Sequence, residues 1–342
     1  MLFRIENRRY VGSKSKLCEW IDEKLNSECQ MCSSFFDVFA GTGVVTQSLL
    51  NSYSSFYIND FLFSNEIIYK GFFLDLPYSE QVLNGIRNYY NSLDATKLVD
   101  NYVSLNYGDK YFSYNDAKII GFIREDIENK KNNGKVNDKE YYILISSLIY
   151  SLDRAANTVG HYEAYIKGKS IRSSFCFELI QPYDVKGKTI GIYRKDANLL
   201  AKTISCDIAF LDPPYNSRQY SRFYHVLETI VKWDKPELYG VAMKPKEENM
   251  SIYCRGGAAA AFDELVHSLQ AKYIVVTYNN TYKSKSTSSQ NKITLEQIEQ
   301  SLNKRGSTKV FDKPYRFFNA GQTEFDDHKE YLFITRAEVI AG

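Results

Sequence analysis

Residues 208–226 read IAFLDPPYNSRQYSRFYHV, and Asp212, Pro213, Pro214 and Tyr215 within them carry the most chemistry. Each proline lacks an N–H and fixes φ, and each holds the residue before it extended. The loop after Phe210 is therefore stiff, rich in acceptors and poor in donors. The Asp212 carboxylate and the Pro213 carbonyl suit a planar amine such as that of adenine. Such a nitrogen is a poor nucleophile because its lone pair is delocalised into the ring. Two acceptors, one for each N–H, favour a more tetrahedral nitrogen whose lone pair points at an electrophilic methyl group. Tyr215 adds a flat face on which a base drawn out of a duplex can stack. The plainer alternative is a Pro-Pro strand terminator with a capping aspartate.

A second constellation lies upstream. Asp37-Val-Phe-Ala-Gly-Thr-Gly43 ends an apolar run in two glycines, which allow a tight turn and close approach of backbone to a ligand. Thr46 stands where a dinucleotide fingerprint wants its third glycine, so the turn alone does not specify NAD. Asp60 follows Gly43 by 17 residues at the end of the next apolar run, where a carboxylate can accept both hydroxyls of a ribose. A helix cap is the other reading of Asp60. Glycine turn and strand-end acid together point to an adenosine-containing ligand.

The elements that position these residues read as β–α–β. Phe35–Phe39 is predicted as a strand, Val44–Leu50 as a helix and Ser55–Asn59 as a strand, the start of a doubly wound sheet. Sheet-like pattern returns at 206–212 and 271–279, with late strands expected around 308–318 and 330–336. From Phe61 to about Gly191 the chain reads as helical and irregular, with an unstructured-looking polar stretch at 129–140 and an apolar helix at 141–152. A mobile loop is expected at 283–292. The GGAAAA run at 256–261 has no functional reading, and a helix running to Gln270 is expected after it.

The 342 residues suffice for one large domain with an insertion of about 130 residues, a size that usually carries recognition. Neither a membrane span nor a secretory leader is visible, and six scattered cysteines suggest a reducing cytoplasm. The single Cys29-x-x-Cys32 has no second pair or grouped histidines, so no metal is expected. Net charge is only +2, yet residues 154–202 hold nine Lys/Arg against four acids, a local basic surface or a merely solvated face.

DVFAGTG followed by DPPY resembles the S-adenosylmethionine-dependent DNA N6-adenine methyltransferases, in the order of the Dam-like (alpha) group with its long insertion. RRYVGSKSKL resembles that group's first cofactor motif, with Tyr10 and Lys14 around Gly12. YRKDANLL carries Asp196, matching the acid that binds the cofactor's adenine amine. NSRQYSRFYHVLETI and ANTVGHYEAYIKGK are most like the modification enzymes of type IIS restriction systems. Asp212 in place of serine argues adenine over cytosine.

The resemblance implies a Rossmann-like fold of seven mostly parallel strands, helices on both faces and a reversed last strand. It implies a catalytic domain at 1–60 and 191–342, with an inserted, mainly helical target-recognition region at 61–190. S-adenosylmethionine is expected at Tyr10, Lys14, Asp37, Phe39, Gly41, Gly43, Asp60, Asp196 and Asp212. Double-stranded DNA is expected at Lys167, Lys169, Arg172, Arg218 and Arg222, although the last two could be ordinary ion-pairing arginines. A cognate restriction endonuclease, or a second methyltransferase for the other strand, is the implied partner. An RNA or protein-amide methyltransferase shares the chemistry, and a non-catalytic DNA-binding module would share the fold.

Overall fold

The apolar runs on either side of the glycine turn become two adjacent inner strands of a seven-stranded sheet. The computed structural model describes residues 2–168, 170–214, 216–280, 291–314 and 329–338. The strands are β1 (Ser34–Asp37), β2 (Ser55–Asn59), β3 (Thr189–Tyr193), β4 (Ser205–Leu211), β5 (Gln270–Asn279), β6 (Gly306–Pro314) and β7 (Lys329–Ala337). Their order is β3-β2-β1-β4-β5-β7-β6. The first five pair in parallel, and β7 runs antiparallel to both β5 and β6. This is the expected Rossmann-like sheet with its reversed last strand. β3 corrects the sequence reading, which left that stretch irregular; TIGIY is short and only half-buried, so it shows no clear apolar pattern.

The chain divides into two units. The sheet unit comprises Gly12–Phe61, Gly187–Gln219 and Asn249–Gly342; the helical unit comprises Met1–Val11, Leu62–Lys186 and Tyr220–Glu248. In the sheet unit, successive strand residues face opposite ways. Phe36, Ala209, Leu211, Ile274 and Val276 join one core with helices Ala197–Ala201, Ala258–Ser268 and Leu295–Asn303. On the opposite face Phe35 stacks with Tyr53 and Phe210, ring centres 5.6 and 5.8 Å apart. The alanine run supplies the first turn of helix Ala258–Ser268. Ala258 is fully buried there, and the Ala261 carbonyl accepts from Asn198 Nδ2 at 2.8 Å. Small side chains are what such proximity requires.

Polar clamps fix the strand ends. At the N-terminal edge, Asp207 Oδ2 accepts the N–H and hydroxyl of both Ser33 and Ser34 at 2.8–3.0 Å. Burial opposes its ionisation, but the Lys272 ammonium and these serine donors outweigh that, holding the carboxyl well below the usual range. At the C-terminal edge, Asn59 donates to the carbonyls of Val38 and Lys195 and accepts from the Lys195 N–H.

In the helical unit, helices Phe63–Phe73, Glu80–Asn91, Tyr102–Tyr107, Tyr114–Asn132, Asp138–Ala155 and His225–Lys232 pack together. Most of the polar stretch at 129–140 is helical, contrary to expectation. Only 133–137 interrupts it, and Asn137 with Glu140 forms a capping box that starts the next helix. The unit's three segments are stitched by buried polar groups. Arg124 donates to the carbonyls of Ile230 and Val231, closing the end of helix His225–Lys232. Glu228 accepts from the N–H groups of Phe63 and Ser64, capping a helix whose own cap residue is Leu62. Arg8 Nη1 donates to Asn65 Oδ1 at 2.6 Å. Among the described residues no helix is long and apolar enough to cross a membrane.

Candidate active site

The glycine turn is built as its composition requires. Gly41 and Gly43 have φ of 55° and 79°, in the left-handed region open to glycine at little cost. The Gly41 N–H donates to Asp60 Oδ2 at 3.0 Å, so the strand-end acid after β2 also braces the turn after β1. Asp37, the last residue of β1, is buried and accepts from Thr46 Oγ1 at 2.8 Å. Thr46, which breaks the dinucleotide pattern, therefore has a use of its own. Burial, aided by the charges of Asp212 and Asp60, pushes the Asp37 carboxyl up to about 7 despite that hydroxyl. Phe39 is half-buried and meets Tyr253 edge-on at 5.0 Å.

Asp212 follows β4 directly. Lys14 Nζ lies 3.0 Å from its Oδ1 and 3.1 Å from Glu330 Oε1, and Thr277 Oγ1 donates to the same Oδ1 at 3.1 Å. Burial by itself would depress the Lys14 ammonium, but the two carboxylates outweigh it and raise its pKa. Lys14 is thus a permanent cation, unable to serve as a base. Thr277 and Glu330 escaped the sequence reading, since each sits in an apolar strand far along the chain from DPPY. A hydroxyl within IVVTYN was the available signal for Thr277; Glu330 offered none. The loop after DPPY is pinned by paired bonds between the Gln219 amide and the backbone of Ser251, and by Cys254 Sγ donating to the Arg218 carbonyl.

Asp196 caps helix Ala197–Ala201, with Oδ1 accepting the N–H groups of Asn198 and Leu199. Pro213 is buried and Pro214 half-buried. Tyr10 belongs to the helical unit, stacked on Tyr224 at 4.7 Å and Tyr220 at 5.4 Å, with the Arg8 guanidinium 5.0 Å from its ring. Lys167 and Arg172 are exposed. Arg218 is half-buried, and Arg222 donates to the Pro245 carbonyl at 2.7 Å. Tyr215, Lys169 and residues 283–290 of the expected loop lie outside the described residues, as do 315–318 of the expected strand. Burial pushes the Cys29 thiol up to about 12, and among the described residues no group of His, Cys, Asp and Glu is arranged to hold a metal.

A glycine turn beside strand-end acids on a mostly parallel seven-stranded sheet is the arrangement of a nucleotide-binding α/β protein. The chain matches the D12 class N6 adenine-specific DNA methyltransferase family over residues 10–292 and belongs to it. It is 28% identical over 339 residues to type II methyltransferase M.NlaIII of Neisseria lactamica, covering 95% of this chain and 98% of that one. It is 30% identical over 338 residues to type II methyltransferase M.CviAII of Paramecium bursaria Chlorella virus 1, covering 96% and 98%. Against type II methyltransferase M.FokI of Planomicrobium okeanokoites it is 29% identical over 352 residues, 97% of this chain but 53% of that protein. The protein is a site-specific adenine DNA methyltransferase, which decides against the RNA and amide acceptors. The family implies S-adenosylmethionine as methyl donor and DNA as substrate.

Proposed function

We propose that the protein methylates N6 of an adenine within a specific double-stranded DNA sequence, after extruding the base, as the modification enzyme of a restriction-modification system. What supports this most is the treatment of Asp212: a carboxylate at the end of a central parallel strand, held through Oδ1 by Lys14 and Thr277. A preorganised acceptor of this kind needs no rearrangement when the amine arrives. Asp212 and the Pro213 carbonyl would each accept one N–H of the amine, and the carboxylate is the group beside it able to hold the proton shed as the N–C bond forms. Tyr215 would stack on the extruded base.

The donor set suits the cofactor. The glycine turn at 41–43 allows close backbone approach, Asp60 is a half-exposed carboxylate for ribose hydroxyls, and Asp37 is a buried acid without an ion-pair partner among the described residues. Tyr10, Lys14, Phe39, Gly43 and Asp196 complete the proposed set. When bound, the cofactor supplies an electrophilic methyl group carried on sulfur. Residues 61–190 are proposed as the target-recognition region, with 1–60 and 191–342 as the catalytic domain. Lys167, Lys169, Arg172, Arg218 and Arg222 are assigned to DNA, with Arg222 oriented by its bond to Pro245. Six free cysteines and a DNA substrate support a cytoplasmic setting. A cognate endonuclease, or a methyltransferase for the other strand, would be its partner.

The test is Asp212→Ala under single-turnover conditions. Removing one preorganised hydrogen-bonding group slows such steps by about 100- to 1,000-fold, while DNA affinity should stay close to wild type. A variant methylating at the wild-type rate would refute the assignment.

A further inference from the structure

We propose that Glu330 is a positioning residue for Asp212, acting through Lys14. The inference rests on Asp212 being the amine acceptor. Lys14 is 5% exposed and Glu330 2%, so both charges have left water almost completely. Desolvating an ion is costly, and Asp212 alone would suffice to neutralise Lys14. Glu330 brings a second buried carboxylate to the same ammonium. Its effect is geometric. The ammonium lies almost equidistant between the two acids, at 3.0 and 3.1 Å, rather than seated on Asp212 alone. Asp212 is steered by a shared cation and keeps more of its negative charge as an acceptor than in an exclusive pair.

The sheet delivers Glu330 to this spot through register. In the antiparallel β5–β7 ladder Glu330 pairs with Asn279, two residues beyond Thr277 on the same face. In the parallel β4–β5 ladder Leu211 pairs with Val276, which sets Asp212 beside Thr277. The reversed strand thus brings a carboxylate to the edge where β4 ends. Lys14, held protonated by both acids, acts as a fixed positive charge and not a proton carrier.

The experiment uses the full chain, with single-turnover methylation at saturating DNA and cofactor, DNA affinity, and NMR of the Lys14 side chain in the cofactor-free protein. Glu330→Gln keeps the shape and removes the charge. It should slow methylation by about 10- to 100-fold, below the loss for deleting a direct donor, leave DNA affinity within about twofold and shift the Lys14 resonances. In a Lys14→Met background the same change should cause no further slowing, because its route is gone. Glu330→Asp should recover part of the rate, and it replaces Glu330→Gln if the latter does not fold. A wild-type rate in the Glu330 variants, or equal slowing in both backgrounds, overturns the proposal. Asp212→Ala run alongside separates the two failures. If it is slow while the Glu330 variants are normal, only the role of Glu330 falls; if it is fast, the reading of Asp212 falls.

Discussion

Asp37 sits inside the sheet with its carboxyl pushed up to about 7, chiefly by burial. In the unfolded chain it ionises near 3.8. Between those values the folded protein holds a proton that the unfolded chain has released. Stability therefore falls as pH rises through this window, by roughly 1.4 kcal/mol per pH unit, and the slope ends above about pH 7. Asp37→Asn removes the titration. Urea unfolding from about pH 4.5 to 8 should show wild type losing stability relative to the variant up to about 7 and running parallel beyond. A constant difference across the range would mean that the Asp37 carboxyl does not titrate there. At this scale the sequence was informative where partners are neighbours: Asp37, Gly41, Gly43 and Asp212 stand in short motifs whose types declare their chemistry. Thr277 bonds Asp212 and Glu330 shares its lysine, but only strand register brings them there. No local spacing encodes that.

Among elements, the clearest dependence is that of β1 and β4 on Asp207. One carboxylate oxygen collects four donors from Ser33 and Ser34, and the other pairs with Lys272. Asp207→Ala should cost about 3 kcal/mol, the upper range for hydrogen bonds to a charged group, measured by urea unfolding at neutral pH. A loss below about 0.5 kcal/mol would place this clamp among ordinary surface contacts. Strands β1, β2, β4 and β5 were legible because burial writes short apolar runs, which half-buried β3 lacks. The end of helix Tyr114–Asn132 was not, since an exposed terminal turn rich in Asn and Lys has the composition of a loop. The Asn137–Glu140 spacing was the overlooked cue.

For the whole molecule, a net charge of +2 leaves attraction to DNA to local groupings of charge. Lys167 and Arg172 are exposed on the helical unit. Reversing both to Glu should flatten the dependence of log affinity on log salt by roughly 2, about 0.9 for each phosphate no longer neutralised, and weaken all sequences alike. Titrations across a salt series on cognate and unrelated duplexes will show this; weakening confined to one base position would instead assign these residues to base reading. The fold class was legible at this scale because the order of motifs follows the order of strands. The grouping of segments was not: the helical unit joins 1–11 and 220–248, which lie outside the insertion, to 62–186. That grouping bears on transplantation. Moving residues 62–186 alone into a related enzyme would leave the N–H groups of Phe63 and Ser64 without Glu228, and Asn65 without Arg8. A folded chimera has to carry all three segments together, so this unit moves between scaffolds as a discontinuous set of residues and not as a cassette.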